Sequence, residues 1–465
     1  MKLVYKILIL LSLLLPGASR IWAVPINADT VETPATDKYF TNEEQLKSFF
    51  QKLANLEEHR SGKINIVQIG DSHIQAGHIS GAIRSSLQEV FGNGGLGFSF
   101  PYELVRTNGP RHVKYVSNVA WESWPNTRAI GNIEIGLGGF ALSTNVKNFV
   151  LQLSTDTAQF TQIKILYPTE KPQYRLSVTA EPLKITSIVS AGGKTHKIRS
   201  GESLSTIARK YGVSVANLKK ANGMKNNTIY AGRTLKIPSK NTVQVANVKM
   251  DENITYVETI DERYCSEYSC AEPVNRITVF PKDGHSKYTI NGIVLENASP
   301  GIVYHSIGVN GAHMSDYRKY PLFFEQIGLL NPDLIIVSLG TNESFARMNC
   351  NEFMRQMDEF VSELKAYSQH ATVLVTTPPP SMFRRSRVNT YVNEYATALT
   401  SQKNYPAWDL YNHMDGADGI KTGRFASMIG RDKIHYTQSG YELQGYMLAT
   451  DFINAYNEYR GQLTK

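Results

Sequence analysis

The sequence predicts an α/β protein: a three-layer domain built on a parallel sheet, split by an inserted β-sandwich that itself carries a small βααβ module. Three observations predict it. Strands alternate with helical periodicity over residues 63–91 and again from residue 301 onward, the pattern of a parallel sheet covered by helices. Between those stretches, short alternating runs broken by Gly, Pro and Asn replace the helices. Within that β-rich run, residues 194–238 switch to a strand–helix–helix–strand order of their own. At 465 residues the chain is too long for one ordinary core. The expected division is a signal peptide over 1–23, the α/β domain over 24–105 and 300–465, the β-sandwich over 106–193 and 239–299, and the small module over 194–238.

The amino terminus reads as an export signal. Lys2 and Lys6 flank an apolar stretch over residues 7–15, too short to anchor in a bilayer, and Pro16-Gly17 breaks it before Ala23 offers a small cleavage residue. The mature chain is expected to be soluble, periplasmic or secreted, with no integral membrane segment once the signal is removed. Cys265 and Cys270 are near enough in sequence to close a small loop in an oxidising compartment, and Cys350 reads as a buried small hydrophobe. The net charge is +8, yet residues 194–238 alone hold ten Lys/Arg against one Glu. The basic character therefore belongs to one segment. That argues against a general nucleic-acid-binding surface and for local attraction to an anionic polymer.

In the first α/β stretch, the alternating run Lys63-Ile64-Asn65-Ile66-Val67-Gln68-Ile69 ends in Gly70-Asp71-Ser72-His73. Ile79, Ile83, Leu87 and Val90/Phe91 then recur at helical spacing, so Ser72 sits on the turn between a strand and a helix. Such a turn exposes its side chain at the carboxyl edge of a sheet and aims backbone N–H groups at whatever binds there. Segments such as Phe149-Val150-Leu151-Gln152-Leu153, Gln162-Ile163-Lys164-Ile165-Leu166-Tyr167, Arg276-Ile277-Thr278-Val279-Phe280 and Ile290-Asn291-Gly292-Ile293-Val294-Leu295 predict the strands of the sandwich.

The small module begins with a short strand leading to Gly201. Ser203 caps a helix carrying Leu204, Ile207 and Ala208, which Gly212 stops. Ser214 caps a second helix with Val215, Leu218 and Ala221, and the run to Pro238 ends in a second strand. This segment resembles a LysM module from end to end. The resemblance implies binding of N-acetylglucosamine-containing glycan, above all peptidoglycan, beside two loops. Here those loops carry Gly201, Glu202, Ser203 and Leu204 on one side and Ile229, Tyr230 and Ala231 on the other.

After residue 301, Ile302-Val303-Tyr304-His305-Ser306-Ile307-Gly308 reads as a strand and Val309-Asn310-Gly311-Ala312 as its exit loop. The strand Leu334-Ile335-Ile336-Val337-Ser338-Leu339 empties into Gly340-Thr341-Asn342-Glu343. A helix over about 352–368 and the strand Thr372-Val373-Leu374-Val375-Thr376 follow, and a last helix starts near Gln438. Asp432-Lys433-Ile434-His435 places an acid and an imidazole three residues apart just before that helix. The four blocks at Ser72, Gly308 to Gly311, Asn342, and Asp432 with His435 resemble the signature blocks of the SGNH (GDSL-like) hydrolases, in the right order. The resemblance implies Ser72 as nucleophile, His435 as general base and then acid, and Asp432 orienting it. It also implies an oxyanion hole from the N–H groups of Ser72 and Gly311 (with Gly308 the alternative) and the Asn342 amide. No metal or cofactor is expected.

Glu343 stands where an Asp often follows the Asn, and His73 directly after the nucleophile reads as a polar residue at the cleft rim. Asp71-Ser72-His73 also fits the Asp-x-His pair of metallophosphoesterases, but no run exists here to complete a two-metal site. A first block separated from the rest by a β-rich insert is similar to peptidoglycan O-acetylesterases and their acetyltransferase relatives. The expected function is therefore an exported serine esterase acting on O-acetylated peptidoglycan. Its alternatives are acetyl transfer, deacetylation of another acetylated glycan, and a wall-binding protein that keeps the hydrolase fold as scaffold.

Overall fold

The computed structural model describes residues 38–128, 133–179, 185–190, 194–211, 215–224, 226–237, 242–246, 254–383 and 387–463. The expected signal peptide lies outside them, as do Gly212 and Ser214. The chain divides into two compact units, 1–38 and 39–465, and the second holds every element described here.

The expected parallel sheet is present. Its strands run in the order Ala407–Trp408, Thr372–Thr376, Leu334–Ser338, Lys63–Gly70, Gly301–Gly308 and Asn93–Ser99, each parallel to its neighbour. Alternation along these strands feeds two cores. Ile64, Ile66, Leu334 and Ile336 face helices Lys47–His59, His78–Phe91 and Gln438–Leu463 through Phe50, Ile83 and Phe452. Val67, Ile69, Ile335 and Val337 face the other way, toward helices Pro321–Gly328 and Cys350–Tyr367 through Phe324 and Phe360. Helix, sheet and helix make the three expected layers.

The inserted region is β-rich as expected, but it is not walled off from the α/β domain. Strands Gly292–Glu296, Phe160–Leu166, Cys265–Val274 and Thr259–Glu262 continue the parallel sheet antiparallel beyond Asn93–Ser99, giving eleven strands with the short Phe40–Thr41 at the far edge. A six-stranded sheet and a three-stranded sheet hold the rest of the insert. The physical reason is the open edge of Asn93–Ser99, whose unpaired backbone groups the insert covers. Gly97 permits the close approach on its other side: φ is +83° and a Cβ there would lie 2.4 Å from the Tyr304 carbonyl oxygen. Insert residues Phe149, Leu151, Tyr174 and Ile277 belong to the same core as Val67 and Ile69.

Cys265 and Cys270 are unbonded. Both lie on strand Cys265–Val274, where five residues of extended chain, roughly 16 Å, hold them apart, so the small loop suggested by their spacing does not close.

The module has its own core of Ile198, Leu204, Ile207, Ala208, Leu218, Leu235 and Ile237. Its strands Lys194–Lys197 and Thr234–Ile237 pair antiparallel around helices Leu204–Tyr211 and Val215–Ala221, in the expected order.

Candidate active site

Register across the parallel sheet assembles the site. Gly70 pairs with Gly308 on one side and Ser338 on the other, so three strands end at one level and Ser72, Gly311 and Asn342 follow within a few residues. A Cβ on Gly70 would fall 2.3 Å from the Ile74 side chain, so only glycine permits so sharp an exit. Asp71 then caps a short helix, Ser72–Gln75, its Oδ1 accepting the His73 N–H at 2.9 Å. Ser72 therefore occupies the first helical position, where a backbone N–H has no partner within the helix.

The carboxylate and imidazole come from a loop folded by its own backbone. Lys433 takes a left-handed conformation (φ +63°), the Gly430 N–H donates to the His435 carbonyl at 2.6 Å, and Ile429 bridges to Tyr436. Asp432 Oδ1 accepts the N–H groups of Ile434 and His435, each at 3.0 Å, while Oδ2 lies 2.7 Å from His435 Nδ1. His435 Nε2 lies 2.9 Å from Ser72 Oγ. Burial would raise the Asp432 carboxyl, but the imidazole and the two backbone N–H groups outweigh it and hold the group below its usual range. An ionised Asp432 fixes the proton on Nδ1 and leaves Nε2 to accept from the serine. The His435 and Asp432 side chains are 43% and 50% exposed, so this pair is open to solvent.

The N–H groups of Ser72 and Gly311 have no acceptor among the described residues. Gly311 has φ +80° and a Cβ there would meet nothing within 4 Å, so it borders open space. Its loop is tied to helix Ser72–Gln75 by the Asn310 N–H, which donates to Gln75 Oε1 at 2.7 Å. Gly308, the alternative donor, is the last residue of its strand, paired with Gly70. Asn342 Nδ2 donates to the Ala312 carbonyl at 3.0 Å and to Asp71 Oδ2 at 3.2 Å. The first of these fixes the amide's orientation, because a flipped amide would set oxygen against oxygen.

Two buried carboxyls stand behind these donors. Asp71 is pushed up to about 7 by burial, offset by the His73 N–H and reinforced by nearby Glu343. Glu343 is also raised by burial, and its Oε1 accepts the Met314 N–H at 2.8 Å. That bond braces helix Met314–Arg318, which follows the Gly311 loop.

His73 departs from expectation. It is buried rather than at the rim, with Nδ1 3.1 Å from the Tyr441 hydroxyl and its ring 5.5 Å from that of His435. Burial first, then the His435 charge, lower it to about 3, so it is a neutral ring and not a second base. The other histidines are engaged elsewhere: His305 in the core, His313 with Asp316 in a capping box, His413 stacked on Tyr39, and His78 facing Tyr441. Both Asp71 oxygens are taken by the protein, and among the described residues the one trio of metal-type ligand atoms is Glu262, Cys265 and Glu267, away from the Asp71–His73 pair. Sequence reasoning missed Gln75, Tyr441 and Gln444. A polar side chain at a helix position that otherwise faces the core was the signal available for each.

The GDSL-like lipase/acylhydrolase family matches residues 289–443, and the LysM domain family matches residues 196–238. The chain carries a GDSL-like acylhydrolase domain and a LysM domain. The acylhydrolase match contains Gly311, Asn342, Asp432 and His435, while Ser72 lies before it, across the insert. A solved structure described as a peptidoglycan O-acetylesterase in action superposes with a TM-score of 0.61 at 17% identity, covering 90% of this chain and 99% of that one. At that identity the likeness establishes the fold, insert included. Curated relatives include an autolysin of Enterococcus faecalis, 44% identical over 11% of this chain and 7% of its own length. Another is a probable peptidoglycan endopeptidase, LytE, of Bacillus subtilis, 48% identical over 10% of this chain and 14% of its own. The chain thus spans a small part of these relatives.

In the LysM domain, Ile198 pairs through backbone with Gly232 and Arg233, which sets the two expected loops side by side. Tyr230 is 64% exposed with the Arg233 guanidinium 5.9 Å from its ring centroid, and Gly201, Ser203 and Ala231 are exposed nearby in sequence. Leu204 is a core residue and Ile229 packs partly against that core, so neither presents an open face. Glu202 is bound to His196 Nε2 at 2.7 Å and to the Arg199 N–H at 2.8 Å, which hold its carboxyl below the usual range.

Proposed function

We propose that this protein is an exported serine esterase that removes O-acetyl groups from peptidoglycan, with its LysM domain holding it on the glycan. The observation that carries the reading is the unbroken chain Asp432–His435–Ser72, with bonds of 2.7 and 2.9 Å, beside two backbone N–H groups that have no acceptor among the described residues. The O-acetylesterase likeness supports the substrate. So do the wall-lytic names of the LysM relatives, and LysM would raise the local concentration of acetyl groups without any change in the active site.

In the mechanism, His435 Nε2 takes the Ser72 proton as Oγ attacks the acetyl carbonyl, and Asp432 stabilises the imidazolium that results. The new oxyanion is met by the N–H groups of Ser72 and Gly311. Asn342 joins them when its longer bond, to Asp71, yields. Collapse returns the proton from His435 to the departing sugar oxygen and leaves acetyl on Ser72. Water then enters through the exposed side of His435 and loses a proton to Nε2 as its oxygen attacks the acetyl carbon. The bond to Ser72 Oγ breaks, that oxygen takes the proton back from His435, and acetate leaves.

The test is acetate release by the mature protein from O-acetylated peptidoglycan and from an acetylated plant polysaccharide, beside Ser72→Ala. Release that favours peptidoglycan and vanishes in the variant is expected. Acetyl appearing on added glycan in place of free acetate would assign transfer instead, and wall binding with neither reaction would leave a scaffold.

A further inference from the structure

Under the nucleophile lies a small cavity of about 30 Å³, between the carboxyl ends of the strands and helix Gln438–Leu463. Its sheet-side wall is a hydrogen-bonded ladder. The Tyr304 hydroxyl donates to Gln68 Oε1 (2.9 Å), Gln68 Nε2 donates to Ser338 Oγ (3.1 Å), and Thr376 Oγ1 reaches the same Ser338 oxygen (3.1 Å). With Ser338 accepting from both, its own hydroxyl proton needs an acceptor. Across the cavity, His73 Nε2 and both amide atoms of Gln444 are buried without a partner, in residues 4% and 1% exposed. Unsatisfied buried polar groups are destabilising, and both residues line this one space.

We propose that this cavity is a buried water site, and that through it Gln444 and His73 act as positioning residues for the general base His435. Most of the lining is apolar, with Ile74, Leu339, Pro378, Trp408 and Leu448 among it, and the polar side chains that interrupt it include no carboxylate or ammonium, which suits one small neutral guest able to give and take hydrogen bonds. The volume exceeds the roughly 10–15 Å³ that one water needs. An apolar guest would leave all three atoms unsatisfied.

The link to catalysis is His73. Its ring faces His435 and Asp432 from one loop, Tyr436 just beyond them and Tyr441 from the last helix. It is neutral there, lowered to about 3 by burial and by His435, so each nitrogen needs one definite partner. Tyr441 serves Nδ1, and water held by Gln444 serves Nε2. A ring pinned at both nitrogens is a fixed backing for the His435 imidazole as it moves its proton between Ser72 and the leaving oxygen.

This role rests on the catalytic reading of His435, but the water itself does not. The test combines a high-resolution crystal structure of the mature protein, imidazole NMR titration of His435, and the rate at which a fluorophosphonate labels Ser72. Each is measured in wild type, Gln444→Leu and His73→Gln. Expected is water bonded to His73 Nε2 and Gln444 in wild type and lost in Gln444→Leu. With it come a shifted His435 titration and labelling slowed about ten- to hundredfold, at a melting temperature no lower than wild type. His73→Gln, which keeps a polar group, should fall between. A dry wild-type cavity, or a folded Gln444→Leu with unchanged His435 titration, overturns the proposal. If wild type is not labelled at all, the esterase reading fails, while the water and titration results still decide this one.

Discussion

Each bond of the relay sets the next. Asp432 spends one oxygen on the backbone of its own loop and the other on His435 Nδ1, so the imidazole has one orientation and one tautomer before substrate arrives. Asp432→Asn keeps that shape but favours the wrong tautomer, and kcat is expected to fall about 10⁴-fold, read by steady-state ester hydrolysis. Asn342 is less simple. Its amide already serves Ala312 and Asp71, so it contributes to the oxyanion only by giving up the longer bond. Asn342→Ala is expected to lower kcat by about 10²–10³ with KM little changed; an unchanged kcat would leave Ser72 and Gly311 as the whole oxyanion hole. At this scale the placement of Ser72, Asn342, Asp432 and His435 was legible in the sequence, because each follows a recognisable strand end or precedes a helix. The burial of His73 was not. Its surroundings come from Tyr441 and Gln444, on a helix at the other end of the chain.

Among the elements, three strand ends in register are what turn separate motifs into one site. Gly311 sits on the loop after one of them, and Glu343 braces the helix after that loop. Glu343→Ala would leave the Met314 N–H buried without an acceptor, at a cost of about 1–3 kcal/mol. Both a lower melting temperature and a lower kcat are expected, and Glu343→Gln should restore most of each. In the LysM domain, Tyr230→Ala is expected to weaken sedimentation with insoluble peptidoglycan while hydrolysis of a small soluble ester stays as it was. Equal loss of both would contradict the division of labour. Four of the parallel strands were legible because their apolar runs are local, whereas the glycine-rich Asn93–Ser99 and the two-residue Ala407–Trp408 carry no such run. The joining of the insert to the same sheet was not, since pairs such as Ile293 with Ser99 bring together strands far apart in the chain. A β-rich run reads alike whether it forms a separate sandwich or extends an existing sheet.

For the whole molecule, buried titrating groups set an acid limit. His73, His305 and His112 are lowered from 6.5 to about 3, 3 and 4, chiefly by burial, so below pH 6.5 the unfolded chain binds protons there that the folded chain refuses. Asp71, raised to about 7, and Glu343, also raised, act oppositely: the folded chain holds their protons where the unfolded chain has lost them. Below about pH 6, where His313, itself raised, is protonated in both states, three histidines against two carboxyls leave a net uptake on unfolding, so stability falls as pH drops from about 6 toward about 4.5. Melting temperatures at pH 6, 5.5 and 5 should decrease in that order, and a flat or rising series would mean that these histidines are not buried neutral. No helix among the described residues is long and apolar enough to cross a membrane. In the proposed mechanism Ser72 carries the acetyl group between glycan and water. The most direct measurement is an acid quench of the mature protein turning over O-acetylated peptidoglycan fragments, followed by peptide mass mapping. One acetyl on the peptide containing Ser72, absent in Ser72→Ala along with acetate release, is the predicted result; acetate release that persists in Ser72→Ala with no acetyl-serine trapped would contradict it.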